Sequence, residues 1–425
     1  MVRPLRVGSW FFCASLAASL AHAGVLVVDA VNGPYTDLQS AVDAAQPGDT
    51  LLVESGTYAS FLVNAKPLSI VGDAGADVQI SGAVRVRSLP AGTVFTLSNV
   101  SATGTSGTLP SRYGLYLSDN LGSIRVANAF FTGAPGLGTS RDGAAGLFCE
   151  LSPDVVATRC GFFGGQGLNG FEDSVGKSGA GVRATGSTVA LWDCVLEGGH
   201  GQHGQGNILD AGRGGHGLHA TSATAFLSGC FAYGGNGGNG AVPAFRWSIG
   251  GTGGHGVRLE AGSIAYLLEV HADGGQGGEN WSGFGLTGYE ADGLPTSVAG
   301  SQLILLPGSA RELQATAVVR EGASLAVTLR GVAGDRVGLL VDRETAHVYH
   351  PLLFGVTSVP LVRPPWVLLL GTLPASGELT LALPIEWLGG SDVEDLLHLQ
   401  PLFHQAGGGI RLGSPLSVAV LDPSY

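Results

Sequence analysis

Charge is scarce in this chain, and lysine is almost absent. Only 13% of the 425 residues are charged, the formal net charge is −12, and lysine occurs only at Lys66 and Lys177. Nucleic acids and anionic membranes are bound through clusters of basic residues. The composition therefore argues against both of these partners.

Long apolar runs are also missing. The longest at the N-terminus is the mainly apolar stretch from Val7 to Leu20, which precedes the small-x-small sequence Ala21-His22-Ala23. This pattern predicts a secretory signal peptide at 1–23. No later stretch reaches the roughly 20 apolar residues that a membrane-spanning helix needs. We expect a secreted or extracellular-surface protein without a transmembrane span, and a retained N-terminal anchor is the alternative.

Cysteine is sparse, and no Cys-x-x-Cys pair occurs among the five cysteines. Zinc sites need such close ligand pairs, so no metal site is expected. Cys160, Cys194 and Cys230 each precede a Gly-Gly pair by four residues, and Val270 takes the equivalent place one repeat later. We expect a stacked column of buried thiols. Disulfides stay open as the alternative, because export permits them and cleavage of the signal leaves an even number of cysteines.

Glycine, by contrast, is abundant, with 71 residues, and it marks a repeat. Six segments open with glycine followed by an aliphatic residue, at intervals of 32 to 39 residues: Gly114, Gly146, Gly181, Gly217, Gly256 and Gly293. A period in this range with strand-like content indicates a solenoid, in which each coil buries its apolar side only when the next coil stacks on it.

The segment after the signal predicts a strand and a capping helix. Val25 to Val28 is strand-like, and Thr36-Asp37-Leu38-Gln39 is a capping-box pattern before apolar residues at helical spacing. Such a helix can cover the open edge of a solenoid. The stretch from Leu38 to Tyr58 resembles the opening of pectin-lyase-like right-handed parallel β-helix proteins. That resemblance implies an all-β, right-handed parallel β-helix, a scaffold on which many different activities are built.

Around Gln302 glycine thins out and longer apolar strands follow at the spacing of an antiparallel β-sandwich. We therefore predict a signal peptide at 1–23, a β-helix with glycine-rich loops at 24–310 and a small C-terminal β-sandwich-like domain at 311–425. Surface attachment or export is one role expected for the last domain. A cover over the open end of the solenoid is the other.

The glycine-rich loops are the first candidates for chemistry. They begin at Gly164-Gly165, Gly198-Gly199, Gly234-Gly235 and Gly274-Gly275, once in each repeat. A nucleotide-binding loop must open a helix, and none of these does so in the sequence pattern. We expect instead that glycine lets successive loops stack with their backbones in contact, with positive φ where required.

Polar residues in these loops are the candidate ligand-binding residues, namely His200, His203, His216, His255, Asn236 and Asn239. The sequence Gly-His-Gly occurs three times and resembles one motif of the polygalacturonase-type β-helix hydrolases. The other motifs of that family, Asn-Thr-Asp, Asp-Asp and Arg-Ile-Lys, are missing from the sequence. We interpret the histidines, including His219, as polar loop residues, with weak divalent-metal binding as the alternative. The catalytic residues stay unassigned.

Acidic residues do not form the sets that polysaccharide-degrading enzymes need. Glycoside hydrolases hold two carboxyl groups at a fixed distance, and calcium-dependent lyases cluster carboxylates beside a basic residue. The best local groups are Glu172 with Asp173, Asp193 with Glu197, and Glu269 with Asp273, besides Arg183 and Arg258 on the repeat strand. Their spacing does not stack them, so structural or solvated acids are the favoured interpretation.

The sequence thus favours a secreted or cell-surface β-helix that binds or adheres to a glycan or another surface component without catalysis. We expect a monomer without a cofactor. A polysaccharide lyase or glycoside hydrolase of the same fold is the alternative, with calcium only in the lyase case. Two facing carboxylates or a calcium cage in a groove would support the enzyme, and scattered acids would contradict it.

Overall fold

The structure is a computed structural model. It describes residues 24–137, 141–168, 176–205, 210–242, 247–361, 365–386, 393–405 and 407–425. The predicted signal peptide, 1–23, lies outside the described residues. In the part of the chain that the structure describes, no helix has the length and apolarity needed to cross a membrane.

The described residues of the first part of the chain form one short helix and many short strands. In chain order these are β1 (Val25–Val28), α1 (Leu38–Ala44), β2 (Thr50–Val53), β3 (Gly56–Asn64), β4 (Ser69–Gly72), β5 (Val78–Arg87), β6 (Val94–Ser98), β7 (Ser101–Thr103), β8 (Leu115–Ser118), β9 (Ser123–Ala127), β10 (Phe130–Thr132), β11 (Leu147–Glu150), β12 (Val155–Thr158), β13 (Gly161–Phe163), β14 (Val182–Thr185), β15 (Thr188–Trp192), β16 (Val195–Glu197), β17 (Leu218–Thr221), β18 (Thr224–Ser228), β19 (Phe231–Tyr233), β20 (Val257–Glu260), β21 (Ile264–Leu268), β22 (His271–Asp273), β23 (Glu279–Ser282), β24 (Gly285–Tyr289), β25 (Thr296–Ala299) and β26 (Gln302–Leu306).

The described residues of the second part form strands and no helix. They are β27 (Glu312–Ala315), β28 (Val318–Arg320), β29 (Ser324–Arg330), β30 (Arg336–Asp342), β31 (Val348–His350), β32 (Gly355–Thr357), β33 (Trp366–Thr372), β34 (Glu378–Pro384), β35 (Glu394–His404), β36 (Ile410–Leu412) and β37 (Leu416–Leu421).

The strands of the first part stack in parallel on three faces of a solenoid. Face A is a ten-stranded sheet in the order β1-β2-β4-β6-β9-β12-β15-β18-β21-β26. Face B contains β7, β10, β13, β16, β19 and β22, and face C contains β8, β11, β14, β17, β20 and β25. The long strand β5 bends through both and pairs with β7 and with β8. The predicted parallel β-helix is therefore confirmed.

Each complete coil runs from face C through face A to face B, and a glycine-rich segment then leads to face C of the next coil. The bend in β5 lies at Gly82, whose φ of +122° is a conformation that other residues rarely adopt. Inward-facing residues form columns along the axis. One such column on face C is Leu115, Leu147, Val182, Leu218 and Val257, and all five are buried.

The predicted cysteine column lies inside this core. Cys160, Cys194 and Cys230 are buried, and the backbone N–H of Cys160 donates to Sγ of Cys194 at 3.4 Å. Val270 packs against the same core one coil later. All four cysteines among the described residues are free thiols, and burial raises the pKa of Cys149 to about 12. They therefore act as small apolar residues.

Helix α1 covers the N-terminal end of the solenoid with Leu38, Ala41 and Val42. Its N-cap is Asp37, whose side chain accepts a hydrogen bond from the Ser40 N–H, so the predicted cap is shifted by one residue. At the other end of α1, the Lys66 ammonium donates to the Val42 and Ala45 carbonyls at 2.6 and 2.8 Å. Both ends of this short helix are thus satisfied by side chains.

The second part of the chain is built from two main sheets with a shared core. A three-stranded sheet has the order β27-β29-β34, and a six-stranded sheet has the order β28-β37-β35-β30-β33 with β36 on β35. Their inner residues form one apolar cluster that includes Leu325, Leu329, Leu339, Phe403 and Val418. The pairings are antiparallel apart from the parallel pair β28 and β37, and the arrangement is the β-sandwich-like one predicted.

This C-terminal sandwich packs along the outer surface of face A. Trp192 and Phe226 of face A form one apolar cluster with Val356 and Leu412. Leu52 of strand β2 belongs to a second apolar cluster, which also includes residues of the sandwich. The contact therefore follows the flank of the solenoid, and the expected cover over its open end is wrong.

Polar contacts fix the same flank. Arg125 pairs with Asp154 at 2.6 Å, and the His347 ring lies 2.8 Å from the same carboxylate. Arg159 donates to the Leu313 carbonyl at 2.8 Å. Together with the apolar clusters, these bonds set the orientation of the two parts of the molecule.

Candidate functional site

The glycine-rich segments form a hydrogen-bonded bundle beside the solenoid. Outgoing segments leave face B, and return segments lead back to face C. The Gly199 N–H donates to Gly179 O, the Gly215 N–H to Gly199 O, the Gly235 N–H to Gly215 O, and the Gly254 N–H to Gly235 O, at 2.8–2.9 Å. Bonds therefore alternate between outgoing and return segments. The Gly-Gly-X repeat of these segments matches the three residues per turn of a polyproline II helix.

The close approach of these backbones requires glycine at the contact positions. A Cβ on Gly235 would lie 2.0 Å from the Gly199 carbonyl oxygen, and one on Gly275 would lie 2.0 Å from that of Gly235. Neither residue has a positive φ. The expectation of close backbone stacking is thus correct for these loops, and a positive φ is not required at these two contacts.

In two rows of the outgoing segments, three residues apart along the chain, side chains bond to the equivalent residue of the next coil. His200 Nδ1 accepts from the Asn236 N–H at 2.9 Å, and Asn236 Oδ1 accepts from the Gln276 N–H at 2.8 Å. The second outgoing row repeats this with His203, Asn239 and Glu279. These four candidate residues therefore satisfy backbone N–H groups, which explains why short acceptor side chains occupy the X positions.

The return segments carry the same ladder with the other two candidates. His216 Nδ1 accepts from the His255 N–H, and His255 Nδ1 accepts from the Leu294 N–H, both at 2.9 Å. The two rings stack with centroids 5.1 Å apart. Unlike the outgoing residues, His216 and His255 also line a groove, together with His219 of face C.

This groove lies between face C and the return segments and has a volume of about 740 Å³. Five of the chain's 21 Lys and Arg residues line it, against three acids. The cations are Arg112, Lys177, Arg183, Arg213 and Arg258, and the acids are Asp142, Glu260 and Asp292. In a chain of net charge −12, the groove is a local concentration of positive charge.

Two stacked columns supply the cations. Lys177 and Arg213 pair as a parallel bridge between adjacent return segments, so their backbones are one strand spacing, about 4.8 Å, apart. Arg183 and Arg258 belong to an outward column of face C, with His219 between them. The groove therefore presents basic side chains from both of its walls.

At one end of the groove the charged groups bind each other. Glu260 accepts hydrogen bonds from His219, at 2.9 Å, and from Arg258. The bond from His219 and those from Arg258 lower the pKa of Glu260 to about 2. Burial, with the nearby charges of His219 and Arg258, lowers the pKa of His216 to about 3. At neutral pH this end holds an ionised carboxylate and a neutral imidazole, so Glu260 is unsuited to act as a general acid.

At the middle of the groove the cations are open to a ligand. Within the described residues, the side chains of Lys177, Arg183 and Arg213 form no ion pair. The Arg183 guanidinium lies 5.1 Å from the centre of the Phe148 ring, and Phe148 packs against Tyr116 and Tyr113. Three cations beside an aromatic cluster can bind an anionic ligand that also has an apolar surface.

Of the acidic groups singled out in the sequence, those that the structure describes do not meet in this groove. Glu197 faces His200 at 3.5 Å, Asp273 pairs with His271 at 2.8 Å, and Glu269 accepts from the Ala310 N–H. Asp193 lies near the sandwich, and Glu172 and Asp173 lie outside the described residues. Among the residues that are described, no three His, Cys, Asp or Glu side chains form a metal-binding group.

Sequence reasoning missed Lys177 and Arg213, although their positions carried a signal. Both stand four residues before the glycine of a repeat strand, at Gly181 and Gly217. Arg183 and Arg258 stand two residues after such a glycine. Residues at equal offsets in a solenoid stack in columns, so these offsets were sufficient to predict each column, although no such prediction was made. They do not show that the two columns face each other.

Comparisons with known proteins add little to this geometry. No family model matches the chain, and no curated protein matches it. The solved structure of pectate lyase Pel9A is similar to this chain at 14% identity, over 60% of this chain and 78% of that one, with a TM-score of 0.25.

Proposed function

We propose that the protein binds an acidic polysaccharide in the groove between face C and the return segments, outside the cell and without cleaving it. The observation that carries the proposal is the concentration of five Lys and Arg side chains in one groove of an acidic chain. Carboxylates are bound by guanidinium groups through paired hydrogen bonds. Lys177, Arg183 and Arg213 are the residues that we expect to bind them.

The mixture of charges in the groove favours a polysaccharide over a nucleic acid. A nucleic acid carries a dense row of phosphates, which the acids Asp142 and Asp292 beside the cations would repel. A polyuronate combines spaced carboxylates with many hydroxyl groups, and those hydroxyls can donate to the same acids. The net charge of −12 opposes a densely charged polymer more strongly than a sparsely charged one.

Binding without cleavage is supported by the state of two groups that line the groove, Glu260 and His216. Glu260 has a pKa of about 2 and is bound to His219 and Arg258. His216 accepts a backbone hydrogen bond at Nδ1, and Arg258 lies 3.1 Å from its Nε2. With a pKa of about 2, Glu260 has no proton to donate at neutral pH, and with a pKa of about 3, His216 is a weak base.

The test is retention of purified protein on immobilised polygalacturonate at low salt, with the double variant Lys177→Ala/Arg213→Ala. We expect its Kd to rise at least tenfold, because a hydrogen bond to a charged group contributes about 1.5 kcal/mol and about 1.4 kcal/mol is a factor of ten. A control, Arg87→Ala/Arg336→Ala, removes two cations outside the groove and should bind like the original chain.

Three results would contradict the proposal. Equal binding by the groove variant and the control would show that the groove is not the site. Stronger retention on single-stranded DNA than on polygalacturonate would favour a nucleic acid. New unsaturated or reducing ends after incubation with the polymer would show that the protein is a lyase or a hydrolase.

A further inference from the structure

A buried carboxylate binds the backbone just before the first strand. Asp49 lies between α1 and β2 and is 6% exposed. Its Oδ1 accepts a hydrogen bond from the Gly24 N–H at 2.8 Å, and its Oδ2 accepts one from the Gln46 N–H at 2.6 Å. The Gly24 carbonyl oxygen accepts from the Thr50 N–H at 2.9 Å. The nitrogen of Gly24 is therefore held against one oxygen of Asp49.

This carboxylate lacks a balancing positive charge. Within the described residues, no Lys, Arg or His side chain forms an ion pair with Asp49. Arg343 pairs with Asp395 of β35 at 2.7 Å, whereas Oε2 of Glu394 is buried and has no hydrogen-bond partner among the described residues. Burial, with the nearby charge of Asp49, raises the pKa of Glu394 to about 8. Because a buried charge is costly unless an opposite charge accompanies it, a cation beside Asp49 would stabilise the fold.

The sequence before Gly24 offers a source for that charge. Ala21-His22-Ala23 is the small-x-small pattern at which signal peptides are cleaved. Hydrolysis of the Ala23–Gly24 bond by a signal peptidase consumes one water. Ala23 then ends in a carboxylate, and the Gly24 nitrogen takes up the acid proton and becomes an ammonium. This nitrogen is the atom that faces Asp49, and 2.8 Å is an ordinary distance for a hydrogen bond from an ammonium to a carboxylate.

We propose that cleavage after Ala23 creates a buried ion pair between the Gly24 α-ammonium and Asp49, which fixes β1 on β2. In the described part of the chain, β1 pairs with no strand other than β2 and forms the N-terminal edge of face A. A cut one residue away would move the ammonium about 3.3 Å along the chain. The uncleaved precursor keeps an uncharged amide beside Asp49, so it is less stable than the mature chain. The inference does not depend on the function proposed for the groove.

The first test is the N-terminus of the chain after export. The full chain is expressed in a secreting bacterial host, and the exported protein is analysed by intact mass. We expect Gly24 as the first residue. A different first residue, or an exported chain that keeps residues 1–23, would overturn the proposal.

Urea unfolding at neutral pH tests the ion pair itself. A chain that begins at Gly24 is compared with one that begins at Ala21, in which the Gly24 nitrogen is an amide. We expect an unfolding equilibrium constant about tenfold smaller for the chain that begins at Gly24, because a charged hydrogen bond contributes more than a neutral one. Asp49→Asn should remove this difference. The control Asp43→Asn, which changes an exposed acid of α1, should keep it. Equal stability of the two original chains, or a difference that Asp49→Asn keeps, would contradict the ion pair.

The pH dependence of the same two chains needs no substitution, so it holds as a test even if Asp49→Asn does not fold. A carboxylate raises the pKa of an ammonium above the ordinary α-amino value of about 8. Stability contributed by the ammonium is therefore complete below about pH 8 and is lost as the pH rises through the raised pKa. The nearby charged groups Glu394, Asp395 and Arg343 are present in both chains. A difference in stability that stays constant from about pH 7 to about pH 11 would overturn the proposal.

Discussion

Glycine at the contacts of the bundle is set by the distance between backbones. Gly235 has no positive φ, and its added Cβ would lie 2.0 Å from the Gly199 carbonyl oxygen. The neighbouring atom is backbone and cannot rotate away, so the segments would have to separate. The residue is thus required by packing rather than by its own conformation.

Replacing Gly235 with alanine should therefore destabilise the protein by about 1–3 kcal/mol, the range for overpacking. The measurement is the free energy of unfolding in urea. Gly107→Ala is the matched control, because no atom lies within 4 Å of its added Cβ and its φ is not positive. An equal effect of the two changes would contradict the argument.

Asp193 illustrates a second effect at the residue scale, the burial of a carboxyl group. Burial raises the pKa of Asp193 from 3.8 to about 7. The folded protein therefore holds this group protonated at pH values where the unfolded chain has lost the proton. Stability contributed by the protonated group is complete below pH 3.8, falls as the pH rises to about 7, and is constant above that.

Asp193→Asn should accordingly raise the unfolding temperature at pH 8 and flatten its dependence on pH between 4 and 7. Asp119→Asn is the control, since both aspartates have φ near +54° and Asp119 is exposed. Thermal unfolding at a series of pH values gives the comparison. The opposite result would contradict the argument: the unfolding temperature of the original chain would rise from pH 4 to pH 7, and Asp193→Asn would remove that rise.

At the scale of elements, the flank of face A depends on large side chains that reach the sandwich. Trp192 is fully buried, and its ring centre lies 4.8 Å from that of Phe226. Tyr266 stacks on Tyr349 of the sandwich at 4.2 Å. An outward-facing aromatic row on a solenoid strand thus indicates a covered face.

Trp192→Ala should cost about 3–5 kcal/mol, as expected when a buried aromatic residue is truncated. Trp247→Ala removes a tryptophan that is 72% exposed and should change stability by less than about 0.5 kcal/mol. Urea unfolding measures both. A small effect of Trp192→Ala would mean that the sandwich does not pack on this row.

The sequence predicted elements better than it predicted their contacts. Periodicity and the cap pattern were enough to predict the parallel β-helix, helix α1 and the β-sandwich-like domain, because each depends on local spacing. The docking of the sandwich on face A was not predicted. Trp192 and Phe226 are aromatic residues at outward positions, which indicates a covered face, but their spacing does not show which element covers it. The groove was not predicted either, because the net charge of the chain does not show that Lys177, Arg183 and Arg213 lie close together.

At the scale of the whole molecule, the two parts share a long apolar contact. Clusters at Leu52 with Val71, and at Trp192 with Phe226, bury face A against the sandwich near both ends of the sheet. Removing the sandwich would expose these rows together. Exposed apolar patches of this kind cause association.

A chain ending at Pro307 should therefore aggregate or bind a hydrophobic dye, whereas the full chain should do so much less. Light scattering and dye fluorescence measure the difference. A shortened chain that is soluble, folded and unable to bind dye would show that the sandwich is an independent appendage. Groove binding in that soluble fragment would then be measured separately.

The bundle of glycine segments also determines how slowly its amide protons exchange with solvent. In flexible loops such protons exchange within seconds or less, but here the N–H groups of Gly199, Gly215, Gly235 and Gly254 each donate to a neighbouring segment at 2.8–2.9 Å. Opening one of them requires its neighbours to separate. Deuterium should therefore enter these segments as slowly as it enters the strands. Since the return segments form one wall of the groove, that wall has the same shape without a ligand.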